Sequence, residues 1–270
     1  MAVKIKVSFL GAGNMGSALV KGAIKSGFLK PSDITIYDLD FKRLENFKDV
    51  PLKIASSLEE ALKESDYIFI CVKPQQMKEL LLNIKDKVND KQCLISIAAG
   101  VRIKSVEKYF LNSIPVIRVM PNTPALVGCG MAAVTGGRFA NKKQVKFSID
   151  FFSSVGKAVV LSEKHFDAVT AISGSGPAYF FYLAEMLEEA ALKLGLPANS
   201  VELFSKQTMI GSAKMFLGDS LAKDLRKKVT SPGGTTEAAI KYLEKRKWSE
   251  IFLEAARKAK ERSRILSLAN

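Results

Sequence analysis

A glycine-rich turn near the start of the chain is the first segment whose residues suggest chemistry. The turn, Gly11-Ala12-Gly13-Asn14-Met15-Gly16, follows a strand-like alternation at residues 4–10 and precedes a helical pattern. In this setting the first glycine permits a tight turn, the second lets the backbone approach a pyrophosphate, and the third lets the helix pack on the strand, while the helix N-terminus offers amide donors. We therefore predict a dinucleotide site here, with a purely structural turn as the alternative.

An acidic residue, Asp38, stands at the end of the second predicted strand. Its carboxylate is suited to accept hydrogen bonds from a ribose 2′,3′-diol, and its charge would repel a 2′-phosphate, which favours NADH over NADPH. Lys42 and Arg43 lie one turn later and are able to reach a phosphate, so use of both cofactors stays open. The alternative role for Asp38 is to cap the next helix.

Two further loops follow predicted strands. Val72-Lys73-Pro74 closes one strand and begins a helix at Pro74, and residues 120–125, MPNTPA, contain two prolines. Loops at the carboxyl ends of parallel strands form the ligand crevice of open α/β sheets, so we expect both to line it. In the second loop only Asn122 and Thr123 offer directional polar groups, and a rigid turn without a ligand is the alternative.

Two glycine turns punctuate the C-terminal half. They are SGSGPA at residues 173–178 and SPGGTTE at residues 231–237, and each precedes a helical pattern. A helix N-terminus behind small residues suits a carboxylate and lets a small substrate approach the backbone. Capped turns between helices are the alternative, and the occurrence of two beside a dinucleotide site favours a substrate pocket.

Residues for other chemistries are scarce. His165 is the one histidine, and its surroundings predict a packed or surface residue rather than a base. Cys71, Cys93 and Cys129 lack metal-ligand spacing, which predicts no metal site and a reduced cytoplasmic setting; the first two lie in apolar runs and are predicted in the core. The chemistry should need a positioned hydride, one proton donor and a bound anion.

The composition indicates a folded protein of 270 residues, 47% hydrophobic and 25% charged, with a formal net charge of +14. No apolar run is long enough to cross a bilayer, and we predict no membrane partner. The basic stretches at residues 226–228 and 245–247 are short and lack interleaved aromatics, so solvated helix faces are favoured over nucleic-acid binding.

Periodicity predicts two domains, a dinucleotide-binding α/β domain at residues 1–162 and an all-α domain at residues 163–270. The predicted strands lie near residues 4–10, 33–37, 52–55, 67–72, 92–97, 115–120, 130–135 and 157–161. Helical patterns between them occupy residues 16–26, 57–64, 75–88, 103–109 and 142–153. Long helices follow at residues 178–193, 200–217, 235–245 and 249–269.

Residues 180–194 are apolar around most of a helix circumference, which indicates burial on several sides. A small helical domain with such a face often completes its core with a second chain, so we predict a homodimer or higher oligomer. A self-sufficient bundle is the alternative.

The chain resembles the pyrroline-5-carboxylate reductase family over almost its whole length. The strings DAVTAISGSGPAY at residues 167–179 and VTSPGGTT at residues 229–236 are close to family signatures. Val72-Lys73-Pro74, AAGV at residues 98–101 and MPNTP at residues 120–124 match in the same order.

This resemblance implies a Rossmann-like N-terminal domain, a C-terminal dimerisation domain, and assembly as a dimer or a ring of dimers. It implies reduction of the cyclic imine of L-1-pyrroline-5-carboxylate to L-proline by NAD(P)H, the last step of proline biosynthesis. That reaction makes the enzyme an oxidoreductase acting on CH–NH.

The resemblance also implies roles for individual residues. The backbone around Ser231, Gly233, Gly234 and Thr235 would hold the substrate carboxylate. Thr236 would lie near the ring nitrogen, as hydrogen-bond partner or proton relay, which makes it and Ser231 the candidate catalytic residues. The remaining implied contacts are a substrate wall at Gly174, Ser175, Gly176 and Pro177, a nicotinamide wall at Asn122 and Pro124, and a cofactor channel at Ala99 and Lys73.

Two segments depart from the family pattern. Asp38-Leu39 stands where many members carry an Asn-Arg or Ser-Arg pair that holds a 2′-phosphate, so NADH is favoured and both cofactors stay possible. The connection at residues 216–221 is shorter than usual and lacks a frequent His-Pro, so no contact from that loop is carried over.

Other functions remain as alternatives. A β-hydroxyacid dehydrogenase shares the domain order, but it uses a lysine on a helix after its glycine motif, and residues 178–191 contain none. A non-catalytic dinucleotide-binding protein, or a basic nucleic-acid binder, would leave the two glycine turns of the helical domain without a role.

Overall fold

The computed structural model describes residues 5–268. Residue 4 of the first predicted strand, Ala269 of the last predicted helix, and the outer ends of the two predicted domains lie outside the described residues. The chain forms two compact units: one runs from the start of the described chain to Ser175 and includes the segment from Ala259 onward, and the other spans Gly176–Lys258. The domain boundary expected between residues 162 and 163 stays a prediction.

The first unit contains one sheet, with eight strands among the described residues. They are β1 (Val7–Leu10), β2 (Ile34–Tyr37), β3 (Lys53–Ile54), β4 (Tyr67–Ile70), β5 (Cys93–Ser96), β6 (Val116–Met120), β7 (Gly130–Gly136) and β8 (Gly156–Val160). Each lies at a predicted position, so the strand predictions are confirmed.

The strand order is β3-β2-β1-β4-β5-β6-β7-β8. The first six strands of this order are parallel, whereas β7 is antiparallel to β6 and parallel to β8. The expected series of parallel units is therefore confirmed through β6 and wrong at β7. The connection from β6 to β7 is too short for a crossover helix, so the chain has to reverse its direction.

Helices follow most strands of this unit. They are α1 (Asn14–Lys25), α2 (Phe41–Leu44), α3 (Leu58–Leu62), α4 (Met77–Ile84), α5 (Ile103–Glu107), α6 (Lys142–Ser153) and α7 (Phe166–Val169), followed by a π-helical turn at Thr170–Gly174. Side-chain caps start α3, where Ser57 accepts from the Glu60 amide, and α6, where Asn141 accepts from the Gln144 amide.

The core lies on both faces of the sheet. Phe9 and Phe69 stack at 4.6 Å between ring centroids on the face that α1 and α6 cover. Leu10 and Ile70, the next residues along β1 and β4, point to the opposite face, which α3, α4 and α5 cover. Each fully buried side chain of this size contributes roughly 1.5–3 kcal/mol relative to exposure. This two-sided packing fixes the sheet and the loops at its carboxyl edge.

The second unit is helical, as predicted. It contains α8 (Gly176–Lys193), α9 (Ala198–Met215), α10 (Ala222–Lys228), α11 (Thr235–Lys245) and the first half of α12 (Trp248–Leu268). Among its described residues only Gly176, Val201, Ser205 and Ala256 are fully buried. The rings of Phe180, Phe181 and Tyr182 on α8 are 63%, 66% and 62% exposed. This unit therefore has almost no core of its own.

Two further observations concern the basic stretches and the possibility of a membrane-crossing helix. The basic stretches at residues 226–228 and 245–247 are solvent-exposed at helix ends. Exposure fits both solvated faces and nucleic-acid binding, so the preference for solvated faces stays a prediction. Within residues 5–268, no helix combines the length and the apolarity that crossing a membrane requires.

Candidate active site

A cleft of about 610 Å³ lies at the carboxyl ends of the parallel strands in the first unit. It opens where the strand order reverses between β1 and β4, the position at which doubly wound sheets bind ligands. Its lining combines the glycine turn, the end of β2, and the loops after β4, β5 and β6: Gly11, Gly13, Asn14, Met15, Asp38, Leu39, Arg43, Val72, Lys73, Pro74, Ala98, Ala99, Met120, Asn122, Thr123 and Gly174. The structure thus brings most of the predicted cofactor residues together.

The glycine turn has the geometry that an anion site needs. Gly11 has φ of 112°, and Gly16 lies so close to Gly11 that an added Cβ would be 2.1 Å from its carbonyl oxygen. At Gly13, by contrast, an added Cβ would meet no described atom within 4 Å. No described side chain caps the N-terminus of α1, so its first amides face the cleft without a protein partner.

Asp38 connects the end of β2 to this turn. It is buried, and Oδ2 accepts a 2.7 Å hydrogen bond from the Ala12 amide while Oδ1 accepts one of 2.9 Å from the Asp40 amide. The α2 cap is Asp40, whose Oδ1 accepts from the Lys42 amide at 3.2 Å, so the alternative role of Asp38 as a helix cap is wrong. Ala12, predicted to contact the cofactor, does not line the cleft; its amide is bonded to Asp38 instead.

Arg43 lies beside Asp38 and is held by two carboxylates. Its Nη1 is 3.5 Å from Asp38 Oδ2, and its Nε is 3.3 Å from Asp40 Oδ2. The guanidinium is about half-exposed, so it is able to turn toward a ligand only by leaving these partners. The three side chains together carry one net negative charge.

The loop after β4 lines the cleft at Val72, Lys73 and Pro74. Pro74 begins a 3₁₀ turn, Pro74–Gln76, in which Gln76 Oε1 accepts from the Lys73 amide at 3.3 Å, and α4 follows. Cys71, at the end of the strand, is half-buried and lines the cleft, and burial raises the pKa of its thiol. Cys93 is fully buried as predicted, and burial raises its pKa to about 12.

Asn122 lines the cleft after β6, but its polar atoms face the protein. Oδ1 accepts from the Met131 amide at 2.8 Å, and Nδ2 donates to the carbonyl oxygen and to Oγ of Ser173, each at 3.2 Å. Pro124 begins a 3₁₀ turn, Thr123–Val127, and is not among the described residues that line the cleft.

The turn at residues 173–178 begins at the end of the π-helical turn. The Ser175 amide donates to the carbonyl oxygen of Thr170 at 2.8 Å, a π-type bond. Gly174 lines the cleft, and an added Cβ would lie 2.5 Å from the terminal methyl of Met120. Gly176 and Pro177 belong to the second unit and begin α8.

The turn at residues 231–237 lies in the second unit. The Gly234 amide donates to the Ser231 carbonyl oxygen at 3.0 Å, Gly233 has φ of 73°, and α11 begins at Thr235 with no described side chain capping it. Ser231, Gly233 and Thr235 are exposed, whereas Gly234 and Thr236 are half-buried. These residues form one compact turn with a helix N-terminus.

Glu237 is a residue of this turn that the sequence analysis missed. Its Oε2 accepts from the Gly233 amide at 3.0 Å and its Oε1 is 3.1 Å from Lys241 Nζ; the Gly233 bond, with Lys241, lowers the pKa of the carboxyl. The signal was available, because a Glu at the third position of a helix commonly turns back to the preceding amides. The Gly233 amide is therefore already bonded to the Glu237 carboxylate.

Arg118 and Glu163 form a second pair that the sequence did not indicate. Arg118 is 3% exposed; its Nη1 donates to Glu163 Oε1 at 3.0 Å, and its guanidinium lies 4.8 Å from the Phe166 ring centroid. The same Glu163 oxygen accepts from the Ile103 amide at 2.9 Å. His165 is exposed next to this pair, as a surface residue. No group of three metal-binding side chains occurs within residues 5–268.

Comparison with known proteins finds relatives over nearly the whole chain. A family model described as pyrroline-5-carboxylate reductase dimerisation matches residues 163–266, and one described as NADP oxidoreductase coenzyme F420-dependent matches residues 6–100. The pyrroline-5-carboxylate reductase of Methanosarcina acetivorans is 36% identical over 263 residues, which cover 97% of this chain and 97% of that protein.

Solved structures agree with these matches. A pyrroline-5-carboxylate reductase from Coxiella burnetii has a TM-score of 0.91 at 34% identity, over 98% of this chain and 99% of that chain. The pyrroline carboxylate reductase of Plasmodium falciparum, solved with NADP bound, has a TM-score of 0.86 at 33% identity, over 97% and 98% of the two chains.

Proposed function

The chain belongs to the pyrroline-5-carboxylate reductase family, and from that premise we propose that it reduces L-1-pyrroline-5-carboxylate to L-proline with a reduced nicotinamide dinucleotide. The observation that carries this proposal is the glycine-turn cleft, in a chain 36% identical to a named reductase over nearly its full length. The reaction is the last step of proline biosynthesis, and we place it in the cytoplasm.

The cleft fits the dinucleotide by its own chemistry. The amides of Asn14 and Met15, at the uncapped start of α1, are assigned to the pyrophosphate, and the open space at Gly13 lets it approach. Val72, Lys73, Pro74 and Ala99 line the channel, and the loop that contains Asn122 and Pro124 is assigned to the wall at the nicotinamide end, with the polar atoms of Asn122 bonded to the protein. When bound, the reduced nicotinamide supplies the hydride.

Asp38 supports a preference for NADH over NADPH, with both possible. A 2′-phosphate would lie beside a buried carboxylate that two backbone amides already hold in place. Arg43 would have to leave Asp38 and Asp40 before it could pair with that phosphate. A ribose diol, in contrast, would donate to the carboxylate without any rearrangement.

For the substrate, we assign the carboxylate to the turn at Ser231, Gly233, Gly234 and Thr235. The Gly233 and Gly234 amides already donate to Glu237 and to the Ser231 carbonyl oxygen, so the proposed donor is the Thr235 amide at the α11 N-terminus. Gly174, Ser175, Gly176 and Pro177 are assigned to the opposite wall. In the reaction the hydride adds to the imine carbon, the C=N double bond becomes a single bond, and the ring nitrogen ends with a proton.

Thr236 is the candidate partner of that nitrogen, with Ser231 beside the carboxylate. A threonine hydroxyl has too high a pKa to act as a free acid, so Thr236 would orient an already protonated imine or pass a proton from water. Holding the nicotinamide and the imine close together in the right orientation lowers the activation free energy of hydride transfer.

We further propose that two chains associate through residues 163–270, alone or within a ring of dimers, while nucleic acid and membranes are not partners. The exposed rings of α8 and the nearly absent core of the second unit support this association, since apolar surface of that extent is stabilised by a second chain.

The direct test is to mix the purified full chain with pyrroline-5-carboxylate and either NADH or NADPH, and to follow the loss of reduced-nicotinamide absorbance. We expect oxidation of cofactor, formation of one proline per cofactor consumed, and a higher kcat/KM with NADH. If the purified protein binds a dinucleotide but oxidises neither NADH nor NADPH in the presence of pyrroline-5-carboxylate, the proposal fails.

A further inference from the structure

The carbonyl of Ser173 lacks its ordinary helical partner. In a continuing helix it would accept from the amide four residues later, but that residue is Pro177, which has no amide hydrogen. The π-helical turn at Thr170–Gly174 immediately precedes this position. A polar backbone group beside the cleft therefore needs a partner from elsewhere in the fold.

Asn122 supplies that partner. The Met131 amide at 2.8 Å must face Oδ1, because only the oxygen accepts, and this fixes the amide so that Nδ2 faces Ser173. Nδ2 then donates to the Ser173 carbonyl oxygen and to its Oγ, each at 3.2 Å. With these bonds made, the amide group of Asn122 is directed at the protein rather than at a ligand.

The position of Ser173 affects the cleft wall because Gly174 follows it in the chain. Gly174 lines the cleft and leaves so little room at Met120 that an added Cβ would lie 2.5 Å from the methionine methyl. A shift of Ser173 would move Gly174 and Met120 together. π-helical turns are frequent at functional sites, where they offset one residue of a helix.

We infer that Asn122 is a positioning residue: its side-chain amide replaces the hydrogen-bond donor that Pro177 lacks, and so holds Ser173 and Gly174 at the hydride-transfer end of the cleft. This inference rests on the proposed function for its effect on turnover. It assigns Asn122 to the protein wall and makes its contribution independent of dinucleotide affinity.

The test is a double-mutant cycle with Asn122→Ala and Pro177→Ala, because Pro177→Ala restores a backbone amide at position 177. We expect Asn122→Ala to lower kcat about tenfold when Pro177 is present and less than about threefold when residue 177 is Ala. The Kd for NADH, from its fluorescence on binding, should change less than about twofold in all four proteins.

The matched control is Asn141→Ala, which removes an Asn that caps α6 through a 3.0 Å bond to the Gln144 amide. It should lower the thermal midpoint and leave kcat unchanged. Equal losses from Asn122→Ala in both backgrounds, an unchanged kcat, or a loss confined to NADH affinity would each overturn the inference.

Hydrogen exchange keeps this inference separate from the proposed function. If the parent protein turns over no pyrroline-5-carboxylate, the proposed function fails, and the same four proteins are compared by exchange of the amides at residues 174, 175, 176 and 178, which all four carry. The bond from Asn122 to Ser173 predicts about tenfold faster exchange for Asn122→Ala only when Pro177 is present. Equal exchange in the two backgrounds would again overturn it.

Discussion

The Asp38 carboxylate accepts a 2.7 Å hydrogen bond from the backbone amide of Ala12, and this bond ties the end of β2 to the glycine turn. The same carboxylate accepts from the Asp40 amide at 2.9 Å. Asp38 therefore has two effects, since it braces the turn that would hold the pyrophosphate and places a negative charge where the proposed function puts the cofactor ribose.

Asp38→Asn removes the charge and keeps one acceptor oxygen, which retains the bond to the Ala12 amide, whereas the Asp40 amide loses its acceptor because it would face Nδ2. We expect kcat/KM with NADH to fall about tenfold and kcat/KM with NADPH to rise about tenfold, together with a lower thermal midpoint from the lost backbone bond. The control is Asp150→Asn, which removes a charge from α6 outside the cleft lining and should alter the ratio less than about threefold. An unchanged cofactor ratio in Asp38→Asn would remove its assigned role.

The two later glycines of the turn should respond differently to alanine. Gly16→Ala places a Cβ 2.1 Å from the Gly11 carbonyl oxygen, and we expect a loss of about 3–5 kcal/mol in the free energy of unfolding. Gly13→Ala meets no described atom within 4 Å, so the fold should persist while dinucleotide affinity falls about tenfold. Urea unfolding and NADH titration measure the two effects, and equal dinucleotide affinity in Gly13→Ala would contradict the pyrophosphate assignment.

Thr236→Ala tests the proton partner. We expect kcat to fall about 10–100-fold and KM for pyrroline-5-carboxylate to rise, with the Kd for NADH unchanged, because the hydroxyl is assigned to the substrate nitrogen alone. Thr236→Ser keeps the hydroxyl and should recover most of the turnover. If the serine variant is as slow as the alanine variant, packing of the methyl group explains the loss and the hydroxyl has no such role.

The buried Arg118 predicts coupling with Glu163. Glu163→Ala leaves a buried guanidinium without its carboxylate, and we expect a loss of about 1–3 kcal/mol in the free energy of unfolding, kept at the low end because Glu163 is 32% exposed. Adding Arg118→Met should recover part of that loss in urea unfolding. Strictly additive losses would show that the pair contributes no mutual stabilisation.

The cysteines should differ in reactivity. Burial raises the pKa of Cys71 and Cys93, so both stay protonated in the folded protein up to about pH 9, and the thiolate is the reactive form. Cys129 is exposed. Alkylation with iodoacetamide, followed by mass spectrometry, should modify Cys129 alone in the native protein and all three after unfolding. Rapid native labelling of Cys71 would contradict this assignment.

Local pattern was enough to predict the strands, the long helices and the glycine turn. Strand alternation, helical periodicity and the need for glycine at positions such as Gly11 act between near neighbours, so the sequence carries them directly. Sequence similarity to one family likewise pointed to the residues at 173–178 and 231–237, because those motifs are contiguous.

Only the tertiary structure decided the partners of the polar groups. Asn122 meets Ser173 across 51 positions, and Asp38 meets Ala12 across 26, so neither bond leaves a signal in a short window. Strands, helices and turns depend on neighbouring residues, so the sequence predicts them. The hydrogen-bond partners at a site depend on how the whole sheet and its helices pack, which only the tertiary structure shows.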